Sequence, residues 1–474
     1  MASATISTLS GNSVSFTESD LQGLSERLRG SLAFPGESAY EEARTIWNAM
    51  IDRHPGLIVR CLGASDVKQA VKFAREGNLL LSVRGGGHNI AGNAVCDGGL
   101  AIDLSPMKSV RVDPVKGTAR VEPGNTLRDF DREAQSFGLA TPLGINSTTG
   151  VSGLTLGGGF GWLTRKHGLT VDNLLSADIV TADGELLKAS AEENPDLFWG
   201  IRGGGGNFGV ATSFEFRLHR VGPQLLAGLI VYPFSEAESV LKQYRRFMDE
   251  ASEELSVFVV LRKAPPLPFL PQEVHGREVL VLALIHAGDP GRAERAIKPL
   301  TAMGTPIATA VMPHEYTVFQ TAFDPLLTPG ARNYWKSHDF NELSDGIIST
   351  LLGYVAQLPS PECEIFIGNI AGAMSRVPRD ETAYGQRGIR YVMNVHGRWR
   401  DPGADDECIG WARAFFEAAA PFSAGTAYVN FMTEDEKGRV QAAYGPHYQR
   451  LVELKRKYDP QNRFRLNQNI QPAA

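Results

Sequence analysis

Three glycine-rich runs carry the residues best placed to do chemistry. The first, Arg84-Gly85-Gly86-Gly87-His88-Asn89, follows a predicted strand at 79–83 and ends in a histidine. The second extends from Gly144 to Gly168 and includes Asn146, Thr149, Gly150, Gly153, Gly157, Gly158, Gly159 and Gly161. The third runs from Arg202 to Gly209 and includes Gly206 and Asn207. Glycines in series leave N–H groups unshielded and allow positive φ, so several amides can converge on one anion, most often a diphosphate. Twenty of the 50 glycines fall in residues 85–99, 144–168 and 200–209, so the excess is local. His88 adds an imidazole, neutral near pH 7 and competent as a nucleophile.

The third run contains Gly204-x-Gly206-x-x-Gly209. A dinucleotide fold needs that motif to open a helix, but Val210, Thr212, Phe214 and Phe216 alternate as a strand does, so that reading is rejected. No G-x-x-x-x-G-K-[ST] run and no His/Cys cluster argues for a P-loop or a metal. Candidate acids and bases lie later. On a predicted Tyr391–Trp399 strand, Asn394, His396 and Arg398 share one face, and on a predicted 364–370 strand Glu364 shares a face with Phe366. Tyr428 and Asn430 form a Tyr-x-Asn pair whose phenol serves as acid or base if its pKa is lowered.

The elements that must position these groups read as follows. The first 35 residues are Ser/Thr-rich and expected to be loosely held. Helices are predicted at 67–76, 126–137, 235–253, 341–355 and 405–418, and one long helix ends near Tyr458. Short β-type runs surround the glycine loops, with Asp183-Gly184 as a hairpin turn. Strands at 257–261, 279–285, 364–370 and 391–399 predict an antiparallel sheet with helices in the middle segment.

Length and composition set the bounds. A chain of 474 residues exceeds one core and predicts two domains. Net charge is −6, which disfavours a general nucleic-acid or membrane-surface binder. Four cysteines without C-x-x-C spacing make no disulfide framework. With no signal-type N-terminus and no long apolar run, the expectation is a soluble, cytoplasmic protein.

At this point the motifs resemble a known family. The Arg84–Asn89 run is similar to the loop carrying the flavin-linking histidine in berberine-bridge-enzyme-like FAD oxidases, of the vanillyl-alcohol-oxidase superfamily. Gly150 to Gly161 resembles that family's second flavin loop, and Asp196-Leu197-Phe198-Trp199 through Gly209 its third. Tyr458-Asp459-Pro460 through Ile470 resembles its C-terminal signature. The likeness runs from about residue 38 to 471 and points to the bacterial branch that includes 6-hydroxy-D-nicotine oxidase.

The resemblance implies an α+β fold: a two-part FAD-binding domain of the PCMH type with a central substrate domain of antiparallel sheet plus helices. The expected division is an N-terminal extension at 1–30, FAD-binding residues 31–222, a substrate domain at 223–425 and a return at 426–474. It implies a hydride passed from a small organic substrate to FAD, with dioxygen as acceptor. Amides of Gly85, Gly86, Gly87, His88 and Asn89 and of Gly157 to Gly161 would hold the diphosphate and ring edge, and Gly206, Asn207 and Gly209 the adenosine or ribityl part. Asn467 and Asn469 would bond polar edges of the flavin. Doubly linked members carry a cysteine where this chain has Asn146, which implies a single covalent link through His88. Thr149 matches the family site that governs dioxygen access. The aromatic content of the middle segment favours an aromatic or polyketide-like alcohol, amine or phenol over a sugar. Two other readings of the glycine loops stay open: an NAD- or other nucleotide-dependent enzyme, and a binding module without redox turnover.

Overall fold

The protein was analysed as a computed structural model, which describes residues 3–472. The first glycine loop hangs from a small parallel unit. Helix Ala64–Glu76 buries Val67, Ala70, Val71 and Ala74, a helical i, i+3, i+4, i+7 stripe. That stripe covers the parallel strands Leu57–Arg60, Leu100–Asp103 and Leu81–Arg84. Gly77 closes the helix by donating its N–H to the Phe73 carbonyl, and the chain turns into Leu81–Arg84. The strand delivers Gly85 at its end.

The N-terminal residues are not loosely held. Ala4–Ser7 pairs with Ser13–Phe16, and helix Glu18–Ser25 buries Leu21 and Leu24. Their apolar side chains, with Ile6, complete the core of the parallel unit, and that burial holds them in place.

Beside it stands a five-stranded antiparallel sheet in the order Leu186–Ser190, Leu174–Val180, Val210–Arg217, Thr118–Val121, Val110–Asp113. Its hairpin turns at Asp183-Gly184, where Gly184 has φ +76°. Helices Leu127–Gln135, Pro195–Ile201 and Tyr448–Tyr458 pack on it in one core. The single long helix expected up to Tyr458 is broken instead. Gly445 adopts φ +56° and Pro446 follows, so Val440–Tyr444 and Tyr448–Tyr458 are separate helices.

Residues 224–399 supply a seven-stranded antiparallel sheet in the order Ala308–Glu315, Gln224–Pro233, Glu278–His286, Leu255–Lys263, Glu364–Asn369, Tyr391–Trp399, Arg332–Phe340. Helices Ala237–Glu250, Asp345–Val355 and Asp405–Ala419 cover one face. The other face looks toward the glycine loops. Both faces are therefore covered, and Tyr391–Trp399 is buried at all nine positions. Three of the seven strands, Gln224–Pro233, Ala308–Glu315 and Arg332–Phe340, were not expected from sequence. In Gln224–Pro233 both faces are largely apolar, so no polar–apolar alternation marks it. Among the described residues, no helix is long and apolar enough to cross a membrane.

Candidate active site

Between the glycine loops and the seven-stranded sheet lies a cleft of about 1930 Å³, its open mouth included. Gly85, Gly86, Gly87, His88, Asn89, Asn146, Thr149, Gly150, Gly153, Gly206, Gly209 and Asn467 all stand on its wall, as do Glu364, Asn394, His396, Tyr428 and Asn430.

The floor is made by two chain segments crossing without side chains. A Cβ on Gly86 would lie 2.5 Å from the Gly150 nitrogen, and one on Gly150 would lie 2.5 Å from the Gly86 nitrogen. His88 follows this crossing. Trp47 stacks on its ring at 5.1 Å, and its Nε2 lies 3.1 Å from the Thr148 hydroxyl. Burial holds the His88 pKa down to about 4, against the attraction of Asp324 and a hydrogen bond at Thr148, so the ring is neutral.

Several expected cofactor residues lie off the cleft wall. Arg84 turns away, donating to the carbonyls of Ala43 and Thr45 and pairing with Asp103, so it braces the loop from behind. The amides of Gly157, Gly158, Gly159 and Gly161 are spent on Gly153, Thr155, the Tyr428 hydroxyl and the Thr164 hydroxyl. These glycines are needed for close packing: a Cβ on Gly158 would meet the Tyr384 ring at 2.8 Å. Asn207 is fully buried. It donates to the Gly204 and Gln468 carbonyls and accepts from the Ile470 N–H, tying the third loop to the C-terminal segment. Asn469 also lies off the wall, its Oδ1 buried without a partner among the described residues. After Gly209 comes strand Val210–Arg217, so no helix N-terminus meets a pyrophosphate at the Gly204-x-Gly206-x-x-Gly209 motif.

The roof is set by strand register. Arg262 pairs with Glu364, Glu364 with His396, and His396 with Trp335, which places these four in one row across adjacent strands. Arg262 donates to Glu364 Oε2 at 2.7 Å. Glu364 Oε1 lies 3.3 Å from His396 Nδ1, and His396 Nε2 lies 3.2 Å from Asn333 Oδ1. Burial alone would raise the Glu364 pKa, but Arg262, His396 and Arg398 outweigh it and hold it at about 2. Burial lowers His396, against the pull of Glu364. Asn333 Nδ2 donates to the Ala331 carbonyl, so Oδ1, which also accepts from Arg398, is the atom facing His396 Nε2. The Glu364 carboxylate is the stronger acceptor, so in the neutral ring Nδ1 carries the proton and donates it to Oε1. A proton taken up at Nε2 makes the ring a donor to both Glu364 and Asn333.

Tyr428 is not the lowered phenol that sequence reasoning allowed. Burial pushes it up to about 12, although Asn430 and the Gly159 N–H both bond its oxygen. With two bonds accepted, its own proton is free to be donated. Sequence reasoning also passed over Trp47, Arg262, Asn333, Thr148 and Phe431. Trp335 lies 5.7 Å from Trp47, 4.6 Å from His396 and 5.4 Å from Phe431, so the aromatics form a belt around the cleft. Bulky aromatics before turns were the only available signal; their cross-strand partners are not encoded locally.

A flavin dinucleotide fits this wall. The Asn394 Oδ1, Trp335 Nε1 and Asn467 Oδ1 atoms are buried with no partner among the described residues and belong to residues that line the cleft. Gly153 and Gly206 open onto free space, where an added Cβ would meet nothing within 4 Å.

Comparison with known proteins agrees with this reading. Residues 55–190 match a family model described as an FAD binding domain, and residues 427–471 one described as berberine and berberine like. An uncharacterised FAD-linked oxidoreductase of Bacillus subtilis (strain 168) is 32% identical over 95% of this chain and 99% of its own. The (R)-6-hydroxynicotine oxidase of Paenarthrobacter nicotinovorans is 32% identical over 94% and 98%. The crystal structure of 6-hydroxy-D-nicotine oxidase from Arthrobacter nicotinovorans superposes with a TM-score of 0.82 at 30% identity, covering 94% of this chain and 98% of that one. With both the cleft and the relatives agreeing, the chain belongs to the berberine-bridge-enzyme-like family and is an FAD-linked oxidoreductase.

Proposed function

We propose that this enzyme is an oxidase that carries FAD on a single covalent link at His88 and oxidises a largely apolar, aromatic or polyketide-like alcohol, amine or phenol. Residues 31–222 and 426–474 would hold the cofactor, and 223–425 the substrate. FAD, when bound, accepts a hydride from the substrate carbon and passes the electron pair to dioxygen, giving hydrogen peroxide. The chain supplies the proton acceptor. His396, oriented by its hydrogen bond to Glu364, takes the substrate's proton, with Arg262 balancing the carboxylate. Tyr428, protonated well above neutral pH, donates a hydrogen bond to the substrate's polar atom. Thr149 on the cleft wall is small, which favours dioxygen. All four cysteines are buried free thiols, in keeping with a cytoplasmic location.

One observation carries the substrate class. A second, smaller cavity opens off the cleft, sharing Ile145, Leu327, Glu364 and Phe366 with it. Trp162, Phe258, Val260 and Phe323 line it, and its only charged groups are the mutually paired Arg262 and Glu364. Such a chamber excludes sugars, whose hydroxyls would lose water without replacement bonds.

The test is acid precipitation followed by a peroxide-release screen. A yellow pellet that becomes colourless in His88→Ala is expected, with flavin on the His88 peptide alone. Peroxide should appear with apolar aromatic donors and not with oligosaccharides. A white wild-type pellet, or a cysteinyl-flavin peptide, overturns the single link; turnover restricted to sugars overturns the substrate class.

A further inference from the structure

Asn146, which stands where doubly linked relatives would carry a cysteine, takes part in a hydrogen-bond chain behind His88. The Thr148 backbone N–H lies 3.1 Å from an Asn146 side-chain atom. A backbone N–H can only donate, so that atom is Oδ1. The Thr148 hydroxyl lies 2.8 Å from the same Oδ1, which can only accept, so the hydroxyl proton is given to Asn146. A threonine hydroxyl has one proton. At its other contact, 3.1 Å from His88 Nε2, it can only accept, and Nε2 must carry the ring proton. Nδ1 is left with its lone pair. Trp47, stacked at 5.1 Å with 19° between planes, limits the ring's tilt.

We propose that Asn146 and Thr148 are positioning residues that lock His88 in the Nε2–H tautomer and so make Nδ1 the atom that bonds FAD. This rests on the covalent attachment proposed above. The depressed His88 pKa means that the ring is neutral, so its tautomer decides which nitrogen is nucleophilic. The step balances as follows. Nδ1 forms a bond to the flavin's ring-methyl carbon while one C–H bond of that methyl breaks. Two protons leave, one from the methyl and one from Nε2. Two electrons go to the flavin ring and then to dioxygen, which departs with the two protons as hydrogen peroxide.

The experiment incubates apoprotein from a riboflavin-starved host with FAD and follows covalent incorporation by intact mass and by flavin fluorescence after denaturation. The same apoprotein, labelled with ¹⁵N-histidine, reports the His88 tautomer directly. Thr148→Val should slow incorporation about tenfold or more, as losses of an orienting partner typically do. It should also turn a single Nε2–H signature into a mixture. Asn146→Ala frees the Thr148 proton for Nε2, and should shift the signature toward Nδ1–H with a similar slowing. Thr148→Ser keeps the hydroxyl and should behave as wild type. Wild-type incorporation in Thr148→Val with an unchanged tautomer overturns the relay. If wild-type protein never links flavin at His88, the attachment itself fails; the relay is then decided by the spectrum alone, where Nδ1–H in the wild type refutes it.

Discussion

The roof row turns on two residues. Glu364 is held at about 2 and stays ionised across the working range, while burial keeps His396 below the ordinary histidine value. Protonating His396 fills the place meant for the substrate's proton. Activity should therefore fall as pH drops below the ordinary histidine pKa of about 6.5. Tyr428, at about 12, should add no alkaline limb below that value. His396→Ala should cost about 10²–10⁴ in kcat, the span of general-base catalysis. Glu364→Gln, of equal size, should lower kcat without a matching rise in KM, as measured by steady-state peroxide release. A profile with no acid limb down to the pH at which the protein unfolds counts against His396 as acceptor. Alternation along the strands placed Asn394, His396 and Glu364 on usable faces from sequence alone. Asn333 and Arg262 stayed invisible because their roles come from cross-strand register, which pairs Asn333 with Arg398 and Arg262 with Glu364, far apart along the chain.

At the level of elements, the glycine loops divide into two kinds. Gly85, Gly86 and Gly150 form the floor of the cleft, whereas Gly157, Gly158 and Gly159 make room for the side chains of Asn430, Tyr384 and Thr170. Sequence could show that backbone comes close to something, but not whether that something is a ligand or another side chain. Gly86→Ala forces the two crossing segments apart, and we expect flavin content to fall at least tenfold, while the distant hairpin Leu174–Ser190 is untouched. Flavin absorbance per protein checks this, with circular dichroism reporting the retained fold; full flavin content would contradict the close crossing. The strands missed from sequence share one cause. A sheet covered on both faces loses the polar–apolar rhythm by which strands are read.

For the molecule as a whole, the join between its parts carries a pH-sensitive contact. Asp131, on helix Leu127–Gln135, is fully buried, and Gln320 from helix Tyr316–Gln320 donates to its Oδ2 at 2.9 Å. Burial pushes its pKa up to about 7, with Gln320 opposing. The folded chain thus holds a proton that the unfolded chain releases near pH 4. Stability from that proton is full below pH 4 and is lost as pH rises through 7, roughly 3 kcal/mol between pH 5 and 8. Asp131→Asn keeps the Gln320 bond without the titration. Its melting temperature should exceed wild type by a margin that grows from pH 5 to pH 8; an equal margin at both contradicts the buried, protonated carboxyl.

The C-terminal segment closes the cleft. Lys455, fully buried, donates to the carbonyls of Asn207 and Phe464 and pairs with Asp459, and beyond it Leu466, Asn467 and Gln468 stand on the same wall as Trp47. A chain leaving the ribosome makes the glycine loops early, yet the wall lacks a side until residues 455–468 have folded back. Loading with flavin is therefore an event of the finished chain, and a chain cut after Tyr444 would be colourless however well its earlier parts had folded.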